Sequence, residues 1–212
     1  MNAPADMIDL AFAVTGGRLP AEHRHALADA VDAILPWLAT TPHAGMHPLK
    51  LAYDSSQPLL SARTRLTLRL PRAKAAQAAA LADRELTVGS GKLRLGGARC
   101  RELLPWGSLY AHCVAAIESE GGGKGRGEDE AEAGFLRTVQ AELDALAVSG
   151  RVICGLARRG SDGAIQGYSL MVDGLSAAHS LSLQQHGLGS GRRVGCGVFV
   201  PHKSAAAVGT PL

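Results

Sequence analysis

The stretch His186–Val200, HGLGSGRRVGCGVFV, decides how this chain is read. Five glycines (Gly187, Gly189, Gly191, Gly195 and Gly197) surround Arg192 and Arg193. They lie between a segment of helical periodicity, Leu175–His186, and a closing strand, Gly195–Val200. Glycine permits positive φ and lets a backbone approach a ligand closely. Successive amides in such a loop form an anion-binding nest, and two arginines add donors that match phosphate. A helix C-cap followed by a tight turn explains one or two of these glycines, not five. The spacing holds no GxGxxG and no GK[ST], and the loop follows a helix. A dinucleotide fingerprint and a nucleotide P-loop are therefore excluded. Phosphate-backbone binding is the expectation for Gly187, Gly189, Gly191, Arg192, Arg193, Gly195 and Gly197.

Working back from this loop, Ser108–Ile117 reads as a strand and Glu130–Ala147 as an amphipathic helix with Phe135, Leu136, Val139, Leu143 and Leu146 along one stripe. Residues 118–128, ESEGGGKGRGE, form a flexible tract by composition. Arg151–Leu156 and Ile165–Val172 read as strands around a turn at Gly160–Gly163. The first half repeats the plan. Met7–Val14 alternates as a strand, and Pro20 opens a helical stretch running to Leu38. A Thr/Pro/His/Gly loop at 40–48 precedes strands at Leu49–Tyr53 and Arg63–Leu70. Pro71 starts an Ala-rich helix to about Asp83, and Leu86–Val88 and Lys92–Leu95 close the half. Strand-helix-strand-strand-helix-strand, twice, predicts an α+β chain. The predicted architecture is two tandem ferredoxin-like (RRM-like) βαββαβ domains, 1–105 and 106–212, the second carrying the glycine-rich loop 187–197.

Composition narrows the function classes. No apolar run approaches the ~18 residues of a membrane helix, and the N-terminus lacks a basic, then apolar, secretory pattern. The four cysteines, Cys100, Cys113, Cys154 and Cys196, include no CxxC pair, so neither a thiolate metal site nor a disulfide framework is expected. A reducing cytoplasmic setting fits. The net charge of +3 hides asymmetry: residues 60–101 carry ten Lys/Arg against two acids, and 118–144 carry eight acids against three bases. Basic stretches of this kind suit a polyanion, the competing reading being a solvated face. In RTRLTLRL, Arg63, Arg65 and Arg69 fall at period two on one strand face and are expected to track a phosphate backbone, with Arg94, Arg99 and Arg101 extending the charge.

The run Gly187-Leu-Gly189-Ser-Gly191-Arg-Arg-Val-Gly195-Cys-Gly197-Val-Phe resembles the glycine-rich signature of the RAMP superfamily of CRISPR-associated proteins. With DLAFAV, LPAEHRHAL, LLPWGSLYAHCV and GLSAAHSLSLQQHGLGSGRRVGCGVFVP, the chain is similar to the repeat-RNA endoribonucleases of that superfamily, the Cas-six family, in its myxobacterial subtype. The resemblance covers most of the chain and is weakest over 118–134. It implies cleavage within the CRISPR repeat of a precursor RNA without metal or other cofactor. The ribose 2′-OH attacks the adjacent phosphate, leaving 2′,3′-cyclic phosphate and 5′-OH ends. The implied partners are the repeat RNA, as hairpin or single strand, and other effector-complex subunits.

Such a reaction needs a base, an acid and cations, and histidine suits both proton transfers. The resembled families carry a histidine at or after the start of the first helix, which singles out His23, then His25. The two are about 200° apart on a helix, so only one can face a given site. His47, in TTPHAGMHP, is the third candidate; His43 and His47 together make a weak metal pair. The resembled family adds a lysine, arginine or tyrosine near the histidine, and Arg158, Arg159, Tyr53 and Lys50 are the candidates for that partner. Two other readings compete: a catalytically silent guide-RNA-binding RAMP subunit, and a ferredoxin-like small-molecule-binding domain.

Overall fold

The computed structural model describes residues 6–54, 57–115, 128–159 and 166–203. The glycine-rich tract around 118–127, the turn at 160–163 and the tail from 204 lie outside them. The chain divides into two compact units. One comprises Met1–Leu103 with Arg192–Gly195, the other Leu104–Gly191 with Cys196–Leu212. The glycine-rich segment is thus shared: its arginines and Gly195 belong to the first unit, and the remaining glycines to the second.

The second unit has the simpler logic. Its elements are β8 (Ser108–Ala115), α3 (Glu128–Ala145), β9 (Arg151–Arg159), β10 (Gln166–Asp173), α4 (Ala177–His186) and β11 (Val200–Pro201). The sheet order β11-β8-β10-β9, antiparallel throughout, is the fourth-first-third-second arrangement of a ferredoxin-like unit. Alternation sends Leu109, Ala111, Leu170 and Val172 to one face, where Phe135, Val139 and Leu143 of α3 and Leu183 of α4 cover them. Each such Leu, Val or Phe contributes roughly 1.5–3 kcal/mol by leaving water. Ser176 caps α4 by accepting from the His179 amide. The closing strand is shorter than the expected Gly195–Val200. Gly195 and Gly197 adopt φ of 88° and 66°, which a strand cannot use, and pairing begins only at Val200.

In the first unit the labels run β1 (Met7–Gly16), α1 (His23–Asp32), β2 (Gly45–Met46), β3 (Ala52–Asp54), β4 (Gln57–Leu59), β5 (Arg65–Pro71), α2 (Ala75–Ala78), β6 (Glu85–Val88) and β7 (Gly91–Glu102). Their five-stranded sheet is ordered β2-β5-β1-β7-β6, with β1 central. Ile8, Leu10, Phe12 and Val14 of β1 and Leu66, Leu68 and Leu70 of β5 point into a core shared with Leu27 and Val31 of α1. Three details differ from expectation. The helix ends at Asp32 rather than Leu38, because Pro36 disfavours helical backbone before it; Leu35 and Leu38 remain buried in the turns that follow. The expected strand at Leu49–Tyr53 stays off the main sheet, its end pairing as β3 with β4. The expected helix 71–83 is one α-turn flanked by 3₁₀ turns. Among the described residues no helix is long and apolar enough to cross a membrane.

Gly197 shows why the segment after α4 needs glycine. A Cβ there would lie 2.0 Å from the Leu188 carbonyl oxygen, and φ is already positive. Gly197→Ala is expected to destabilise by about 2 kcal/mol or more in denaturant unfolding. Gly97→Ala, whose Cβ would meet nothing within 4 Å, should stay within about 1 kcal/mol of the parent. Equal effects would contradict this account.

Candidate functional site

On the sheet face opposite the core of the first unit, the β1–β5 register sets Asp9 beside Arg69. Asp9 is the charged residue of an otherwise apolar strand, and Arg69 is completely buried. The guanidinium grips the carboxylate with both prongs, Nε donating to Oδ1 at 2.8 Å and Nη2 to Oδ2 at 3.0 Å. β2 pairs with β5 at its edge, and the His47 amide continues that pairing to the Thr67 carbonyl at 2.9 Å. This brings His47 Nε2 to 3.1 Å from Asp9 Oδ1.

The electrostatics of this cluster fix its protonation. Burial alone would raise the Asp9 carboxyl, but the bonds and charges of His47 and Arg69 outweigh it and hold the group far below the usual carboxylate range. Asp9 is therefore an acceptor, so His47 donates through Nε2–H and keeps Nδ1 as its basic nitrogen. Burial lowers the His47 pKa below the ordinary histidine value; Asp9 opposes that shift, while Arg69 and Arg192 reinforce it. The result is a neutral, oriented imidazole whose side chain is 14% exposed.

Arg192 and Arg193 complete this region of the unit. Arg192 Nε donates to the His43 carbonyl at 3.0 Å. Burial, with Arg69 alongside, brings the Arg192 guanidinium down to about 10. Arg193 pairs with Asp29 and Asp32 near the end of α1. His43 is exposed and held at φ 59°, a conformation uncommon for a residue with a side chain. Sequence reasoning gave it only a weak metal role. A histidine in a Pro- and Gly-bounded loop two residues before a strand was the available signal.

The amides of the glycine-rich segment are turned to protein acceptors. Gly187 donates to Leu183 O at 2.8 Å, Gly195 to Arg192 O at 3.2 Å and Gly197 to Cys113 O at 2.7 Å. Gly189 donates to a carboxylate oxygen of Glu142 at 2.7 Å. Backbone approach is thus used to fold the segment on itself and on β8 and α3 of the second unit. An acid of the protein stands where a phosphate was expected, and both arginines are engaged within the first unit.

The remaining candidates are spread out. His23, 7% exposed, begins α1 with Nδ1 3.1 Å from Pro20 O and 3.2 Å from Ala21 O, and burial lowers its pKa. Asp29 and Asp32, the partners of Arg193, lie six and nine residues further along α1, about 9 and 13.5 Å of helix rise. His25 is half-buried two residues on, about 200° round the helix. Of the three arginines expected on one strand face, Arg63 falls in the turn before β5, Arg65 is exposed on β5, and Arg69 is buried against Asp9. The shared-face expectation therefore fails for Arg63, because the strand starts at Arg65. For Arg69 the ion pair consumes the charge. Arg158 is half-buried on β9 opposite Gly167, and Arg159 ends that strand in the second unit. Among the described residues no three His, Cys, Asp or Glu side chains gather as a metal-binding group.

Breaking the buried pair from one side leaves an uncompensated charge, which costs about 3–5 kcal/mol. Arg69→Met should therefore lower unfolding stability by about 3 kcal/mol or more, and Asp9→Asn/Arg69→Met by less than the two single changes together. Asp9 has a depressed carboxyl, so its contribution is full above the unfolded carboxylate pKa and lost as pH falls toward the folded value. Additive single and double changes would contradict the pairing.

Comparison with known proteins adds a family to this geometry. The family profile described as Cas6 Crispr matches residues 8–204. The CRISPR-associated endonuclease Cas6 of Myxococcus xanthus strain DK1622 is 31% identical over 203 residues, covering 95% of this chain and 84% of that protein. A solved CRISPR-associated protein Cas6 aligns with a TM-score of 0.61 at 11% identity, over 93% of this chain and 100% of its own. A RAMP protein described as binding different RNA substrates aligns with a TM-score of 0.55 at 14% identity, over 91% and 98%. At such identities the structures speak to the fold, which they share with this chain. The profile match across nearly the whole length and the 31% identical relative make the assignment: this chain belongs to the Cas6 family of CRISPR-associated proteins.

Proposed function

We propose that this Cas6-family protein is an endoribonuclease that binds the CRISPR repeat of a precursor RNA and cuts it into guide RNAs. Family membership supports the activity, and one observation carries the mechanism: His47 is tethered through Nε2 to Asp9, in a buried setting that lowers its pKa. In this reading Nδ1 takes the proton of the ribose 2′-OH. The O2′–phosphorus bond forms as the phosphorus–O5′ bond breaks, giving a 2′,3′-cyclic phosphate and, after proton transfer to the leaving oxygen, a 5′-OH. Arg192 and the exposed His43 share the loop region with His47 and supply a cation and a second imidazole. Proton transfer by imidazoles and charge stabilisation by guanidinium need no metal ion, so cleavage is proposed to proceed in the presence of a chelator.

His23 and His25 are the other proposed proton carriers. The contacts of the buried His23 ring with the Pro20 and Ala21 carbonyls, against the tether of His47 to Asp9, favour His47. Single-turnover cleavage of labelled repeat RNA in EDTA separates them. His47→Ala is expected to slow cleavage at least about 100-fold with binding within a few-fold. His23→Ala and His25→Ala should leave the rate within about fivefold, an effect of about 1 kcal/mol. Loss at His23 instead would move the proton transfer there. Tight binding with no cut by the parent protein would make this a silent RNA-binding subunit.

The pH profile carries an independent sign. A base must be unprotonated, and His47 is pushed below the ordinary histidine value of 6.5. The cleavage rate is therefore expected to fall to half its maximum only at a pH below 6.5. A rate already halved above 6.5 would contradict a buried base.

A further inference from the structure

In the first unit, Arg192–Val194 form a 3₁₀ turn that packs between α1 and β2. Val194 is buried, and the turn closes as the Gly195 amide donates to the Arg192 carbonyl at 3.2 Å. Two contacts tie this turn to the loop that carries the site histidines. Arg192 Nε donates to the His43 carbonyl at 3.0 Å. Gly195, at φ 88°, abuts Pro48, the neighbour of His47; a Cβ there would come within 3.1 Å of the proline ring. On its other side the turn is fastened to α1. Arg193 donates to Asp32 through Nε and to Asp29 through Nη2. These carboxylates are three residues apart, so they share one side of the helix. One planar guanidinium therefore bridges two points of an element whose Leu27 and Val31 are fixed in the core.

We infer that Arg193 is a positioning residue and not a phosphate ligand: clamped to Asp29 and Asp32, it holds the turn that sets the His43–His47 loop. This rests on the RNA-cleaving reading above and deepens it. Charge favours the clamp. Two carboxylates face one guanidinium, so a phosphate approaching Arg193 would meet both acids. Architecture explains the need for it. The loop that carries His43 and His47 joins the sheet only through the two residues of β2 and the His47 amide, and the turn supports it from the other side. Movement of the turn would carry the His43 carbonyl and Pro48 with it, and displacing His47 by even a fraction of an ångström slows a proton transfer. The pairs themselves are partly exposed, Asp29 to 69%, so they add little to folding stability and their loss leaves the protein folded.

Single-turnover cleavage of repeat RNA by the full chain at saturating protein, with affinity measured separately, tests the clamp. Arg193→Ala and Asp29→Asn/Asp32→Asn are each expected to slow cleavage on the order of tenfold, with affinity within about twofold of the parent. Combining them should be no slower than either alone, because both break one contact. In a His47→Ala background the same changes should cost less than about twofold, and in the parent background both should move the His47 imidazole nitrogen resonances. A phosphate ligand behaves in the opposite way. Arg193→Ala would weaken RNA binding, whereas releasing Arg193 from its acids would tighten it. That pattern would overturn the inference, as would cleavage and His47 resonances unchanged in both variants. A His47→Ala protein that cuts like the parent would reject the base reading alone, and the resonances would then decide the clamp by themselves.

Discussion

The first unit depends on how one carboxylate is neutralised. Asp9 stands in the middle strand of a sheet, where an unpaired charge is costly, and the structure answers with the bidentate Arg69 and the Nε2–H of His47. Those bonds do three things at once. They align β1 with β5 in the register that also makes the core. They anchor the edge segment at 45–47, and they give His47 one tautomer and one orientation. A residue that reads as a loop histidine becomes, through a partner 38 positions away, an imidazole of fixed orientation.

The glycine-rich segment solves a different problem. Its glycines let the chain pass within contact distance of other backbone, as at Gly197 against Leu188, while its arginines reach the end of α1 and the His43 carbonyl. The carboxylate of Glu142 on the Gly189 amide shows the anion preference that the loop's composition predicts, met by the protein itself.

The fold was more legible than the site, for a physical reason. Strand alternation and helical stripes are local, so the second unit's strands and helices appear close to where periodicity puts them, and the resemblance in the glycine-rich segment led to the right family. The first half was harder. Leu49–Tyr53 has strand-like composition but lacks a partner on the main sheet, and Pro36 shortened a helix whose apolar spacing continued past it. The site is a product of pairing across long separations: Asp9 with Arg69 is 60 residues apart. Nothing local distinguishes Arg69, buried and paired, from Arg65, exposed four residues before it on the same face. The register decides between them. A lone acid in MIDLAFAV was the one advance sign that a buried cation was required.

The protonation state of His47 decides the site, and nitrogen-detected NMR of its imidazole reads that state directly in the free protein. The Asp9 tether predicts a ring that carries its proton on Nε2, and burial predicts that the second proton is taken up with a midpoint below the ordinary histidine value. A ring protonated on Nδ1, or one titrating at the ordinary histidine value, would contradict it.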